Sequence, residues 1–152
     1  MKSRRAVVAD ENGVAPHAFE CRDRVRWADV DQAGIIYFGA YSRFVDVAEC
    51  EFYRSLGFTF ERFRELGILL PRVHLEFDFF HPALLDDVMV LRTRVAGVGV
   101  HSVRLAIDAE RDSDGAPLAE VTMVTACMGA DRKSAPLPDV FAAALRARMA
   151  GA

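Results

Sequence analysis

Residues 41–56 carry apolar side chains around most of a helix, and no other stretch restricts the fold so tightly. Tyr41, Phe44, Val45, Ala48, Phe52 and Leu56 recur at helical spacing, while Val47, Cys50 and Tyr53 widen the face beyond the usual stripe. A helix of this kind has to be covered on most sides. Ser42, Arg43, Asp46, Glu49 and Arg54 fill the other positions, and Gly57 suits the residue just past a helix end.

The covering material is written on both sides of it. Ahead of the helix, Phe19, Cys21, Val25 and Trp27 alternate with Glu20, Arg22, Arg24 and Arg26, the period-two pattern of a half-buried strand, with Asp23 interrupting the apolar row. Behind it, 60–66 reads as a short helix stopped by Gly67. After Pro71 the period of two returns, with Val73, Leu75, Phe77 and Phe79 set against Arg72, His74, Glu76 and Asp78. Strands are expected at 88–95, 102–110 and 118–128, and the short links at 96–101 and 111–117 make them antiparallel hairpins. An alanine-rich stretch at 139–149, after Pro136 and Pro138, closes the chain as a helix. The fold class is therefore α+β: a five-stranded antiparallel sheet around one long helix. Such a sheet keeps open edges, which a second copy of the chain would relieve.

A chain of 152 residues has room for one such domain, placed at 18–150, with 1–17 read as a flexible arm because it shows no periodicity. Apolar residues at 52% and charged ones at 27% describe a folded domain rather than a disordered tail. The net charge of -3 argues against a dedicated nucleic-acid binder. No uninterrupted apolar run is long enough to span a membrane, and the first sixteen residues lack the apolar core of a signal peptide, so a cytoplasmic protein is expected. Cys21, Cys50 and Cys127 are far apart and form no CxxC pair, so they read as buried reduced thiols rather than as a disulfide or zinc site.

Chemistry concentrates where the first strand meets the long helix, in Trp27-Ala28-Asp29-Val30-Asp31-Gln32-Ala33-Gly34-Ile35-Ile36-Tyr37-Phe38-Gly39-Ala40-Tyr41. Two aspartates stand in a turn just before a helix start, where unpaired N–H groups and the helix dipole favour negative charge. Gly34 permits a sharp turn or close approach to a ligand. Spacing alone leaves open whether either aspartate does more than cap that turn.

The segment resembles the signature of the 4-hydroxybenzoyl-CoA thioesterase family of the hot-dog fold. Asp31, Gly34, Ile35, Ile36, Tyr37 and Tyr41 match that pattern in order and spacing, supported by His81-Pro82-Ala83 with Asp86-Asp87, by Ser102, and by Pro136-Leu137-Pro138. The resemblance implies a sheet wrapped around a helix, paired into a dimer or a dimer of dimers with sites at the interface. It implies hydrolysis of an acyl-CoA thioester, with an aromatic or medium-chain acyl group. Asp31 would be the catalytic carboxylate, as nucleophile or as general base, and the backbone N–H of Phe38 would polarise the thioester carbonyl. Trp27, Tyr37 and Tyr41 would line the substrate pocket, with Gly34 and Gly39 in the same binding segment.

Two departures from the family pattern matter. Phe38 stands where some subgroups carry a histidine, and a phenyl ring transfers no proton. The turn at 97–101 has only His101 as a basic residue, so Arg132 and Lys133 are the candidate partners for CoA phosphates. No cofactor and no metal are expected. Gly97-Val98-Gly99 lacks the third glycine of a dinucleotide loop, Asp112-Ser113-Asp114-Gly115 fits a hairpin turn, and His74 and His81 have no partner at metal-ligand spacing. The competing readings are a thioesterase for acyl-carrier-protein substrates, a hydratase using His74 or His81, and a non-catalytic acyl-CoA-binding dimer.

Overall fold

The computed structural model describes residues 18–149; the arm assigned to 1–17 and residue 150 lie outside them. Strand β1 (Phe19–Arg24) leads through a 3-10 turn (Trp27–Asp29) and a hairpin loop to a second 3-10 turn (Phe38–Ala40) that runs straight into α1 (Tyr41–Ser55). Then come α2 (Phe60–Glu65), β2 (Ile68–Leu69), β3 (Arg72–Phe79), β4 (Val88–Val98), β5 (Ser102–Arg111), β6 (Pro117–Ala126), β7 (Met128–Gly129) and α3 (Asp139–Met149). Five strands form one sheet in the order β1-β4-β5-β6-β3, and every neighbouring pair is antiparallel. The expected five-stranded α+β architecture is the one observed.

The long helix ends where Gly57 predicts. Its φ of 87° is costly for residues with a side chain, and it lets the Phe58 N–H reach the Tyr53 carbonyl at 2.9 Å while the Gly57 N–H reaches that of Arg54 at 2.9 Å. Tyr41, Phe44, Val45, Ala48, Phe52 and Tyr53 are buried against the concave face of the sheet, with Met89, Leu91, Leu105, Ile107, Leu118 and Met123 below them. Phe141 and Leu145 of α3 seal the far end of α1, where the Phe141 ring centroid sits 5.3 Å from that of Tyr53.

The helix is nevertheless not covered all round. Ser42, Asp46, Cys50 and Arg54, four residues apart, form one exposed stripe, so Cys50 is exposed and Cys21 half-buried; of the three thiols only Cys127 is buried as expected. Glu49, read as a polar-face residue, is buried. Its partner is Arg72, which a bulge brings round. The β3–β6 register slips between Arg72 and His74, and because a one-residue slip reverses the face of a strand, Arg72 turns toward α1 and pairs with both Glu49 and Asp46. The ladder of β2 with β7, two residues long, escaped the sequence reading, and β4 runs three residues beyond the expected strand.

Candidate active site

Residues 30–36 form a tight hairpin whose tip is Asp31 to Gly34. Val30 bridges Ile36, the Asp31 N–H donates to the Ile35 carbonyl at 3.0 Å, and the Gly34 N–H donates back to the Asp31 carbonyl at 3.0 Å. Gly34 closes the turn at φ 71°, in the left-handed region that favours glycine. The loop is set on the segment before β4: the Ile36 N–H donates to the Ala83 carbonyl and the Leu85 N–H to that of Gly34. Asp31 itself is exposed. One carboxylate oxygen accepts the Ala33 N–H at 2.8 Å, which fixes the side chain on the loop and leaves its other oxygen without an intraloop donor.

The two aspartates of the turn have separated roles. Asp29 is 5% exposed and its carboxylate accepts from the Arg43 guanidinium, at 3.0 Å from Nε, and from the Arg26 N–H at 2.8 Å. Desolvation pushes its carboxyl up, but the hydrogen bonds from Arg43 and Arg26 and their positive charges outweigh it and hold the group below the usual carboxylate range. Arg43 also pairs with Asp23, the residue that interrupts the apolar row of β1. That interruption is the inward-facing half of an ion pair.

Directly after the loop the chain enters its helix. Tyr37 is extended, and the Ala40 N–H is taken by the Tyr37 carbonyl at 3.0 Å; the N–H groups of Phe38 and Gly39 stand before any helical carbonyl could accept them. They are the first donors of the macrodipole's positive end. Gly39 allows the Tyr37 ring to lie over this start, since a Cβ there would stand 3.0 Å from Cε2 of that ring.

The hairpin contributes to two concavities. One, of about 450 Å³, is lined by Asp31, Gly34, Gln32, Val30, Leu85 and Trp27, a residue 81% exposed. The other, of about 320 Å³, is bounded by Ile35, Ile36, Phe38, Tyr41, Phe79, Phe80, His81 and Pro82. Tyr41 is buried, 5.1 Å from the Phe79 ring centroid, and burial raises its hydroxyl to about 12, so it is neutral at any working pH. Tyr37 and Phe38 are exposed. Thus Asp31, Gly34 and Trp27 gather on one side of the loop, and Phe38 and Tyr41 on the other.

Arg132 and Lys133 are not part of this group within one chain. Their turn is tied to the opposite end of the sheet, where the Gly129 N–H meets the Lys133 carbonyl and Ser134 lies 3.4 Å from His101. The length of β4, eleven residues, separates that end from the Asp31 loop, roughly 35 Å at ~3.3 Å per residue. Among the arginines at the Asp31 end are Arg24, Arg26, Arg43 and Arg111, none of which the spacing of the motif singled out. Among the described residues no group of three or more His, Cys, Asp or Glu could hold a metal, and no helix is long and apolar enough to cross a membrane.

Residues 25–145 match the model of the thioesterase-like superfamily. The chain belongs to that superfamily. It is 26% identical over 129 residues to the 1,4-dihydroxy-2-naphthoyl-CoA hydrolase of Synechocystis, an alignment spanning 84% of this chain and 94% of that one. It is 34% identical over 76 residues to the acyl-CoA thioesterase YbgC of Haemophilus influenzae, covering 49% of this chain and 56% of the relative. A match from Aquifex aeolicus, 31% identical, likewise spans only 55% of its relative's length. In three dimensions the crystal structure of Slr0204, a 1,4-dihydroxy-2-naphthoyl-CoA thioesterase from Synechocystis, superposes with a TM-score of 0.78 at 25% identity over 85% of this chain and 96% of that one. The thioesterase-like superfamily matches the broader hot-dog reading of the sequence.

Proposed function

We propose that this chain is an acyl-CoA thioesterase in which Asp31 is the catalytic carboxylate. The observation that carries the reading is that, in a thioesterase-like domain, an exposed carboxylate is fixed on a hydrogen-bonded hairpin that leads directly into the 3-10 turn opening at Phe38, whose first N–H groups precede any helical carbonyl. Water and thioester give a carboxylic acid and a free thiol. Asp31 either attacks the acyl carbon or takes a proton from the attacking water, and a helix-start N–H meets the developing oxyanion, an interaction worth about 100- to 1000-fold in rate.

An aromatic acyl group is favoured over a medium-length aliphatic one because Phe38, Tyr41, Phe79 and Phe80 line the concavity beside the helix start. The naphthoyl-CoA hydrolase among the relatives supports the same choice, as does the sequence resemblance to 4-hydroxybenzoyl-CoA thioesterases.

The active form is proposed to be a dimer built on β3. That strand pairs with β6 on one side, and its other edge carries Val73, Leu75 and Phe79 at 62, 40 and 53% exposure. Two β3 edges related by a two-fold axis run antiparallel, which brings the Arg132–Lys133 end of one copy toward the Asp31 end of the other. CoA phosphates would meet those cations there and not within one chain.

A panel of aromatic and aliphatic acyl-CoA thioesters, with acyl-carrier-protein thioesters alongside and thiol release as readout, tests the proposal. Fastest release from an aromatic acyl-CoA is expected. Release from carrier-bound acyl chains alone would move the assignment to the carrier-protein class, and none from any thioester would remove the enzymatic reading.

A further inference from the structure

Of the two acids in the loop, the one off the matched motif is held by far the more firmly. Asp29 is gripped from three directions. The Arg43 fork on α1 takes both its carboxylate oxygens, the Arg26 N–H donates to one of them, and its own carbonyl receives the Tyr37 N–H at 3.1 Å. The same guanidinium reaches Asp23 on β1 and the Arg24 carbonyl at 3.2 Å. Arg26 adds a longer contact to Asp23 at 3.3 Å. One side chain therefore fastens β1, the base of the hairpin and the first turns of α1 to one another.

This arrangement has a geometrical consequence. Asp31 follows Asp29 by two residues, and the N–H groups of Phe38 and Gly39 precede Arg43 by less than two turns of the helix, so the guanidinium joins the carriers of the two reacting partners. We propose that Arg43 is a positioning residue for thioester hydrolysis, holding the Asp31 hairpin at a fixed distance from the helix-start N–H groups through Asp29. The proposal rests on the thioesterase reading above. A planar fork with five donors can span two carboxylates and a carbonyl at once, and a lysine ammonium cannot reproduce that span. Because the reacting geometry is steep in distance, a displacement of about 1 Å costs on the order of 100-fold.

Arg43→Lys keeps the charge and removes the fork. It is expected to lower kcat by about 10- to 100-fold with KM little changed. The acid limb of kcat should move to higher pH, since Asp29 loses the Arg43 hydrogen bonds that, with the Arg26 N–H, hold its carboxyl low. Asp29→Asn/Arg43→Gln removes both charges together, so no buried ion is left alone if the single variant does not fold; it should show the same loss of kcat. Arg43→Lys, folded and with the kcat and acid limb of the parent, or the double variant, folded and with the kcat of the parent, overturns the proposal. If the parent releases thiol from no thioester, the thioesterase reading fails separately, and amide hydrogen exchange decides on Arg43. Exchange at Asp31, Gly34 and Tyr37 should be faster in Arg43→Lys, and unchanged exchange there overturns the positioning role.

Discussion

Asp29 and Asp31 differ by two positions and by almost everything else that matters chemically. Asp29 is buried and saturated with donors, so it serves the framework; Asp31 is exposed, held by one short hydrogen bond to Ala33, and available to react. Asp31→Asn keeps size and turn geometry and removes the anionic oxygen proposed to react, and turnover is expected to fall about 100- to 10,000-fold if the residue is a base. Phe38→Leu leaves the backbone N–H in place and should act mainly on KM through the apolar wall it forms. Steady-state kinetics on one acyl-CoA separates them: a folded Asp31→Asn variant with parental turnover would displace Asp31 from the reaction. Asp29 lies off the motif, yet Asp29→Asn is also expected to lower turnover, because it weakens a buried ion pair between the loop and α1. The motif marks which aspartate matches a known pattern. It contains no sign of burial, and Arg43, fourteen residues beyond Asp29, looks in the sequence like one more polar residue on an amphipathic helix.

Elements were legible wherever a period was long or a stop was marked. The fifteen-residue α1 announced itself through its apolar face and Gly57, and the four long antiparallel strands through alternation and short links. What the period could not show was a change of phase. In β3 the alternation of letters continues through Val73, yet the bulge turns Arg72 inward to Glu49. That pair joins α1 to β3 and has an unusual sign. Desolvation raises the Glu49 carboxyl above its ordinary value despite Arg72 beside it, so ionised Glu49 costs the fold stability at neutral pH. As pH falls through the raised value toward that of the unfolded chain, the cost disappears. Asp29 runs the opposite way: its lowered value contributes stability above the unfolded carboxylate range and loses it as pH falls through the folded one. Glu49→Gln is therefore expected to keep or raise Tm at pH 8 and to lose any advantage in acid, where the parent's Glu49 is protonated. Melting curves across pH check this, and a Tm lowered at pH 8 would mean that pairing with Arg72 outweighs desolvation.

At the scale of the whole molecule the sheet is an incomplete object. Its β1 edge is short, six residues, and charged at four of them, which discourages further pairing, while β3 presents eight residues with an apolar row on the side facing α1. Phe77 and Phe79 stack in parallel with centroids 5.7 Å apart, and Tyr41 packs on both, so the free edge of the sheet and the aromatic wall beside the helix start are one continuous surface. A second copy docked on β3 would cover that wall and exclude water from the oxyanion position, which strengthens each polar contact there. Leu75 sits in the middle of β3, 40% exposed and opposite Met123, so replacing it disturbs the single chain little and a paired edge a great deal. Leu75→Lys is expected to remain folded by circular dichroism, to run as a monomer in light scattering at micromolar concentration, and to lose turnover even though Asp31 and the helix start are untouched. The parent should be a dimer or a dimer of dimers under the same conditions. A parent that is monomeric and fully active would show that one chain completes its own site, and the dimeric form of the proposal would be withdrawn.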